Sequence, residues 1–180
     1  MATIFYSWQS DIPSRVNRGF IHDALDVAIK EITKDMRLYE MPTLDQDTRG
    51  ISGSPEIVSS ILAKIDRCSM FVADLTFVVQ RVPNPNVLIE YGYALKTKGQ
   101  ECVIGVMNEA FGLPDDLPFD LKARRWPIRY HLSQDASPEI RKSQKKQLVN
   151  SFEDALGTAI RAGLIPGLRS IYEDRGPLVF

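Results

Sequence analysis

Glu90 is the residue of this sequence whose position most needs a chemical explanation. It lies in Pro83-Asn84-Pro85-Asn86-Val87-Leu88-Ile89-Glu90-Tyr91-Gly92-Tyr93-Ala94. The prolines and asparagines there spell a tight turn, and the apolar residues after them read as a helix start. A carboxylate in the first turn of a helix complements its positive end. The same group can act as an acid, a base or a nucleophile. Further candidates stand where strands are expected to end: Ser7, Trp8 and Gln9; then Arg49, Gly53 and Ser54; then Asp74; and Asn86 in the turn before Glu90. Trp8 offers a flat face for a ring, and Ser7 and Gln9 carry groups that can hydrogen-bond a carboxamide or a sugar. Arg49 with the amides of Gly53 and Ser54, ahead of a helix, suits a diphosphate. Asp11 reads first as a helix cap, and Asp74 either orients a polyol, serves as an acid or caps the following loop. Asp45 and Asp47 sit in a turn where acids more often cap amides than bind an ion, so no metal is expected. His22 and His131 match no nucleophile–base pattern, and neither a Gly-x-Ser-x-Gly nor a Cys–His arrangement occurs.

These residues need a scaffold, and the pattern supplies one. Apolar runs alternate with amphipathic stretches of helical period, the signature of a parallel sheet covered on both faces. Strands are expected over residues 3–8, 37–44, 70–74, 102–107 and 125–132. Between them a helix over 17–34 places Phe20, Ile21, Ala24, Leu25, Ala28, Ile29 and Ile32 on one stripe. A second runs from Ser54-Pro55 to residue 66 and a third carries Glu90 to residue 98, stopped by Gly99. The last is a long helix over 138–162. The fold class is α/β: a flavodoxin-like three-layer sandwich with a five-stranded parallel sheet in the order 2-1-3-4-5. Ligands of such sheets sit at the carboxyl ends of the strands, where the order reverses. The candidate residues all fall on that edge.

Length and charge bound the rest. The 180 residues suit one domain, taken as residues 1–162, with 163–180 as an extension or linker rich in Gly and Pro. With 22 Lys+Arg against 23 Asp+Glu the net charge is −1, so no global field recruits nucleic acid or an anionic membrane. Lys122, Arg124, Arg125 and Arg129, interleaved with Trp126 and Tyr130, read as a solvated rim rather than a nucleic-acid or partner contact, and Lys142, Lys145 and Lys146 as an exposed helix face. No apolar run approaches the roughly 18 residues of a membrane span. The N-terminus has no basic region followed by an apolar stretch, so no secretory signal is expected. Cys68 and Cys102 lack metal-ligand spacing and read as reduced core residues of a cytoplasmic protein.

In order along the chain, YSWQSD, DQDTRGISGSP, FVADLT and NPNVLIEYGYA resemble a bacterial TIR-like domain and the related nucleoside 2-deoxyribosyltransferase superfamily, over roughly residues 3–130. Glu90-Tyr91-Gly92-Tyr93-Ala94 is similar to the Glu-x-Gly-Tyr-Ala pattern of the second family, and Asp74 matches its aspartate at the end of strand three. The resemblance implies cleavage of an N-glycosidic bond, foremost the nicotinamide–ribose bond of NAD, taken as substrate and not as cofactor. Breaking such a bond builds positive charge on the ribose, which a carboxylate stabilises or traps; Glu90 would do this. Nicotinamide leaves from a cationic ring and needs no general acid, whereas a purine is protonated as it departs. The resemblance further implies an effector of antiviral defence, switched on by self-association and coupled to a sensor domain or partner chain. The alternatives are a nucleoside or nucleotide N-glycosidase or deoxyribosyltransferase, with Glu90 as nucleophile and Asp74 as acid, and a non-catalytic adaptor or nucleotide-sensing module.

Overall fold

The computed structural model describes residues 2–46, 57–123, 127–165 and 168. The chain enters on β1 (Thr3–Ser7), followed by α1 (Arg18–Asp35), β2 (Thr43–Asp45), α2 (Ile57–Arg67) and β3 (Met70–Asp74). A small antiparallel hairpin, β4 (Phe77–Val79) with β5 (Val82–Pro83), leads into α3 (Pro85–Lys98). Then come β6 (Val103–Asn108), the one-turn α4 (Phe119–Lys122), β7 (Ile128–Tyr130) and α5 (Pro138–Arg161). The main sheet runs β2-β1-β3-β6-β7, every pairing parallel. Leaving aside the hairpin, this is the expected 2-1-3-4-5 order, and the fold is an α/β three-layer sandwich.

Side-chain alternation along the strands divides the core in two. Ile4, Tyr6, Met70 and Val72 face α1 and α5, where Leu25, Ile29, Leu148 and Phe152 complete a large apolar cluster. Phe5, Phe71 and Ala73 point the other way, to Ile65 of α2 and Val87, Tyr91 and Ala94 of α3. All five residues of β3 are buried, as befits a central parallel strand with both faces covered. Ile165 and Leu168, in the described part of the expected tail, are buried against the α1 side of the core. Cys68 is a buried free thiol and Cys102 a half-buried one.

Several boundaries differ from the sequence expectation, each for a local reason. The second strand is confined to Thr43–Asp45 because residues 37 and 38 close α1 instead. Arg37 takes a left-handed φ of 48°, and the Arg37 and Leu38 amides bond back to the Lys34 and Thr33 carbonyls, a Schellman ending. β7 pairs only through Ile128–Tyr130, because the Leu132 amide is claimed by the Asn108 side chain rather than by a neighbouring strand. The β4–β5 hairpin lies in a stretch expected to be a loop. Asn84 caps α3, its Oδ1 accepting from the amides of Asn86 and Val87, and Gly99 ends it at φ 80°. Glu90 is therefore the sixth residue of α3, in its second turn. The helix-end complement expected of a first-turn acid does not apply, since that effect fades beyond one turn.

Phe152 is wholly enclosed between α1 and the sheet. Phe152→Ala is expected to lower the unfolding free energy by about 3–5 kcal/mol, measured by urea titration followed by circular dichroism.

Candidate functional site

Register sets the site. Ser7 closes β1 beside Ala73 of β3, so Ser7 and Asp74 end neighbouring strands at the carboxyl edge of the sheet. Ser7, only 2% exposed, points to the α3 side, and its hydroxyl donates to Glu90 Oε2 at 2.6 Å. That short, charge-assisted bond joins residues 83 apart in sequence and holds a half-buried carboxylate against the strand end. A second clasp secures the same loop: the Asn84 side-chain amide donates to Asp11 Oδ2 at 2.8 Å. Asp11 thus ties the β1–α1 loop to the start of α3 and does not cap α1, whose Gly19 amide donates instead to Ser14 Oγ at 3.2 Å.

Asp74 points to the opposite, α1 side of the sheet and is fully buried. The Asn17 amide donates to its Oδ2, and the Thr76 backbone N–H donates to its Oδ1 at 3.1 Å, which is the loop-capping arrangement. The Thr76 hydroxyl donates to Asn17 Oδ1 at 3.2 Å and accepts from the Asn108 N–H at 3.0 Å. The Tyr130 hydroxyl lies 3.0 Å from both that Asn17 oxygen and the Val16 carbonyl. Asn108 completes the layer, donating to the Val16 and Leu132 carbonyls at 3.0 and 2.9 Å and accepting from the Leu132 amide at 3.0 Å. Burial pushes the Asp74 carboxyl up to about 6, against the opposing pull of the hydrogen bonds from Thr76 and Asn17 and of the nearby Gln9 amide. Burial and the nearby Asp74 charge also raise the Tyr6 and Tyr130 phenols well above their usual value.

The remaining candidates divide between these two sides. Gln9 is buried; its Oε1 accepts from the Ile12 amide at 3.0 Å. Its Nε2 finds no partner of hydrogen-bonding geometry, though it lies near enough to Asp74 to help hold that carboxyl's pKa down. Trp8 packs on the α1 side, and one face of its ring carries the Arg18 guanidinium, whose carbon lies 3.5 Å from the centroid. Asn86 is exposed, one residue inside α3. Arg49, Gly53, Ser54 and Asp47 lie outside the described residues. Asp45 accepts from the Lys64 ammonium at 3.0 Å and from the Gln46 amide at 2.8 Å, a capped ion pair. So Ser7 and Glu90 come together, as do Asp74 and Gln9, but the two pairs occupy opposite faces of one sheet edge. Sequence reasoning missed Asn17 and Asn108. The signal for Asn17 was its place just before a helical stripe; Asn108 gave none beyond ending an apolar run.

Two cavities lie away from the Ser7–Glu90 pair. One of about 590 Å³ lies between α3 and residues 118–121, and one of about 1100 Å³ opens along the unpaired half of β6 toward α5. No helix among the described residues is long and apolar enough to cross a membrane, and no group of three or more metal-ligating side chains occurs among them.

No family model matches the chain, so the TIR-like resemblance rests on its motifs alone. No curated protein matches it either. Among solved structures, a 2-desoxiribosyltransferase from Leishmania mexicana is similar at a TM-score of 0.38 and 17% identity, over 60% of this chain; the match spans 65% of that protein, less than two thirds of its length. A flavodoxin-like domain from Synechococcus is similar at a TM-score of 0.46 and 11% identity, over 88% of this chain and 100% of that one. The general stress protein 14 of Treponema denticola, solved with FMN, is similar at 0.45 and 14%, over 89% of this chain and 99% of its own.

The enclosed Asp74 has a thermodynamic consequence. An acid whose pKa rises on folding, here from 3.8 to about 6, binds its proton more tightly in the folded chain. Its contribution to stability is present below pH 4 and is lost as pH climbs through 6. From pH 4 to pH 7, the difference in unfolding free energy between Asp74→Asn and wild type is expected to move toward the variant by about 3 kcal/mol, read from urea midpoints at each pH.

Proposed function

We propose that this chain cleaves the N-glycosidic bond of a nucleoside or nucleotide, with Glu90 as the carboxylate that meets the anomeric carbon. The observation that carries the reading is the 2.6 Å bond from the Ser7 hydroxyl to Glu90 Oε2 at the carboxyl edge of a parallel sheet. It fixes a carboxylate in the place where such folds receive ligands. As the bond to the base breaks, its electron pair leaves with the base and the ribose carbon becomes cationic. Glu90 then stabilises that cation or forms an ester with it. Water, or a second base in a transfer reaction, next takes the sugar and releases the carboxylate. Ser7 orients the carboxylate so that little reorganisation is needed as charge develops.

NAD, the narrower reading, is favoured by the state of Asp74. That second carboxylate of the edge is enclosed, faces the other side of the sheet and has both oxygens bonded by Asn17 and Thr76. A reaction that asks no proton of it fits best, and a pyridinium leaving group departs neutral without one.

Purified protein incubated with NAD and with purine deoxynucleosides, followed for free nicotinamide or free base by chromatography, tests both readings. Glu90→Gln is expected to lower kcat by about a thousandfold, and Ser7→Ala by roughly ten- to a hundredfold. Full activity of Glu90→Gln would sink the proposal, and release of purine but not nicotinamide would remove the NAD reading.

A further inference from the structure

Arg18 has the properties of a ligand-binding cation: among the described residues no acid pairs with it. It is the first residue of α1, and its guanidinium carbon lies over the Trp8 ring, 3.5 Å from the centroid. A guanidinium held on an aromatic face can still receive an oxyanion by two parallel N–H bonds. Among the described residues the Arg18 guanidinium makes no ion pair and no hydrogen bond. The acids that might have paired with it are engaged elsewhere: Asp74 with Asn17 and Thr76, Asp11 with Asn84. The positive end of an 18-residue helix adds to the same potential.

Its position relative to Glu90 follows from the strand. Ser7 and Trp8 are consecutive and diverge to the two faces of the sheet: Ser7 holds Glu90 on the α3 side, and Trp8 carries Arg18 on the α1 side. The carboxylate and the guanidinium thus flank the end of β1. A ligand laid over that strand end would meet a negative group with its anomeric carbon and a positive one with whatever lies on the far side of its ribose.

We propose that Arg18, presented by Trp8, binds a phosphate on the 5′ side of the substrate ribose, so that the site takes nucleotides in preference to nucleosides. This rests on the reading of Glu90 as the carboxylate at the sugar. It also gives Trp8 a task that its sequence position did not suggest: one face of the ring holds a cation in place.

The kinetic test compares nicotinamide riboside with nicotinamide mononucleotide, which share a leaving group, and deoxyadenosine with its 5′-monophosphate. Wild type is expected to favour the phosphorylated member of whichever pair it cleaves. Arg18→Gln should lower kcat/KM for that member by roughly ten- to a hundredfold, chiefly through KM, and leave the unphosphorylated member within about twofold, while Arg18→Lys should fall between. An equal loss on both members, or no loss, overturns the proposal. Calorimetric titration of Glu90→Gln protein with AMP and with adenosine gives an answer that does not depend on turnover. AMP should bind about tenfold or more tightly than adenosine, and adding Arg18→Gln should abolish the difference. Equal binding of AMP and adenosine by the Glu90→Gln protein overturns the proposal. If no substrate is cleaved but the AMP preference and its dependence on Arg18 stand, the reaction assigned to Glu90 fails while the phosphate site survives.

Discussion

An ionisable carboxyl with no access to solvent sits under the carboxyl edge of this sheet, and much of the local structure is the solution to that problem. Removing a carboxylate from water is costly unless donors are supplied. The chain supplies them from Asn17 at the head of α1 and from the Thr76 backbone, and then satisfies those groups in turn through Tyr130 and Asn108. The layer therefore locks together the ends of β3, β6 and β7 and the start of α1. Ser7 ends β1 and Trp8 begins the segment between β1 and that helix start, so both lie directly beside the layer.

What results is an edge with two chemically distinct sides. On the α3 side an acid is held by a hydroxyl, and on the α1 side a cation is held by an indole. Neither side chain at the working end is held by the hydrophobic core alone. Each is aimed by a neighbour that the strand period fixes, which is how a parallel sheet converts its alternation into placement of charge. The Asp11–Asn84 clasp serves the same end by keeping the loop that carries Trp8 against the helix that carries Glu90.

Sheet order, helix succession and the general location of the edge were legible in the sequence, because apolar periodicity reports directly on burial. Met70–Asp74 as a buried strand and Gly99 as a helix stop are of this kind. The failures share a cause: they depend on hydrogen bonds between residues distant in sequence. Nothing in residues 37–44 announces a Schellman ending with Arg37 in the left-handed region. The pairing of Asn17 with Asp74 spans 57 residues, and that of Asn108 with Val16 spans 92. Glu90 stood out because an acid among apolar residues is conspicuous; Asn17 and Asn108 did not, because amides occur equally at solvated turns. The Arg18–Trp8 contact was not legible either, since an arginine ten residues after an indole shows no period with it.

The enclosure of Asp74 also governs how fast it can respond to its surroundings. A buried acid exchanges its proton with solvent through the fluctuations that expose it, and Asn17, Thr76 and Gln9 lie about this one. Proton exchange at Asp74 is therefore a reporter of local opening in the layer it belongs to, as amide exchange is for a backbone hydrogen bond.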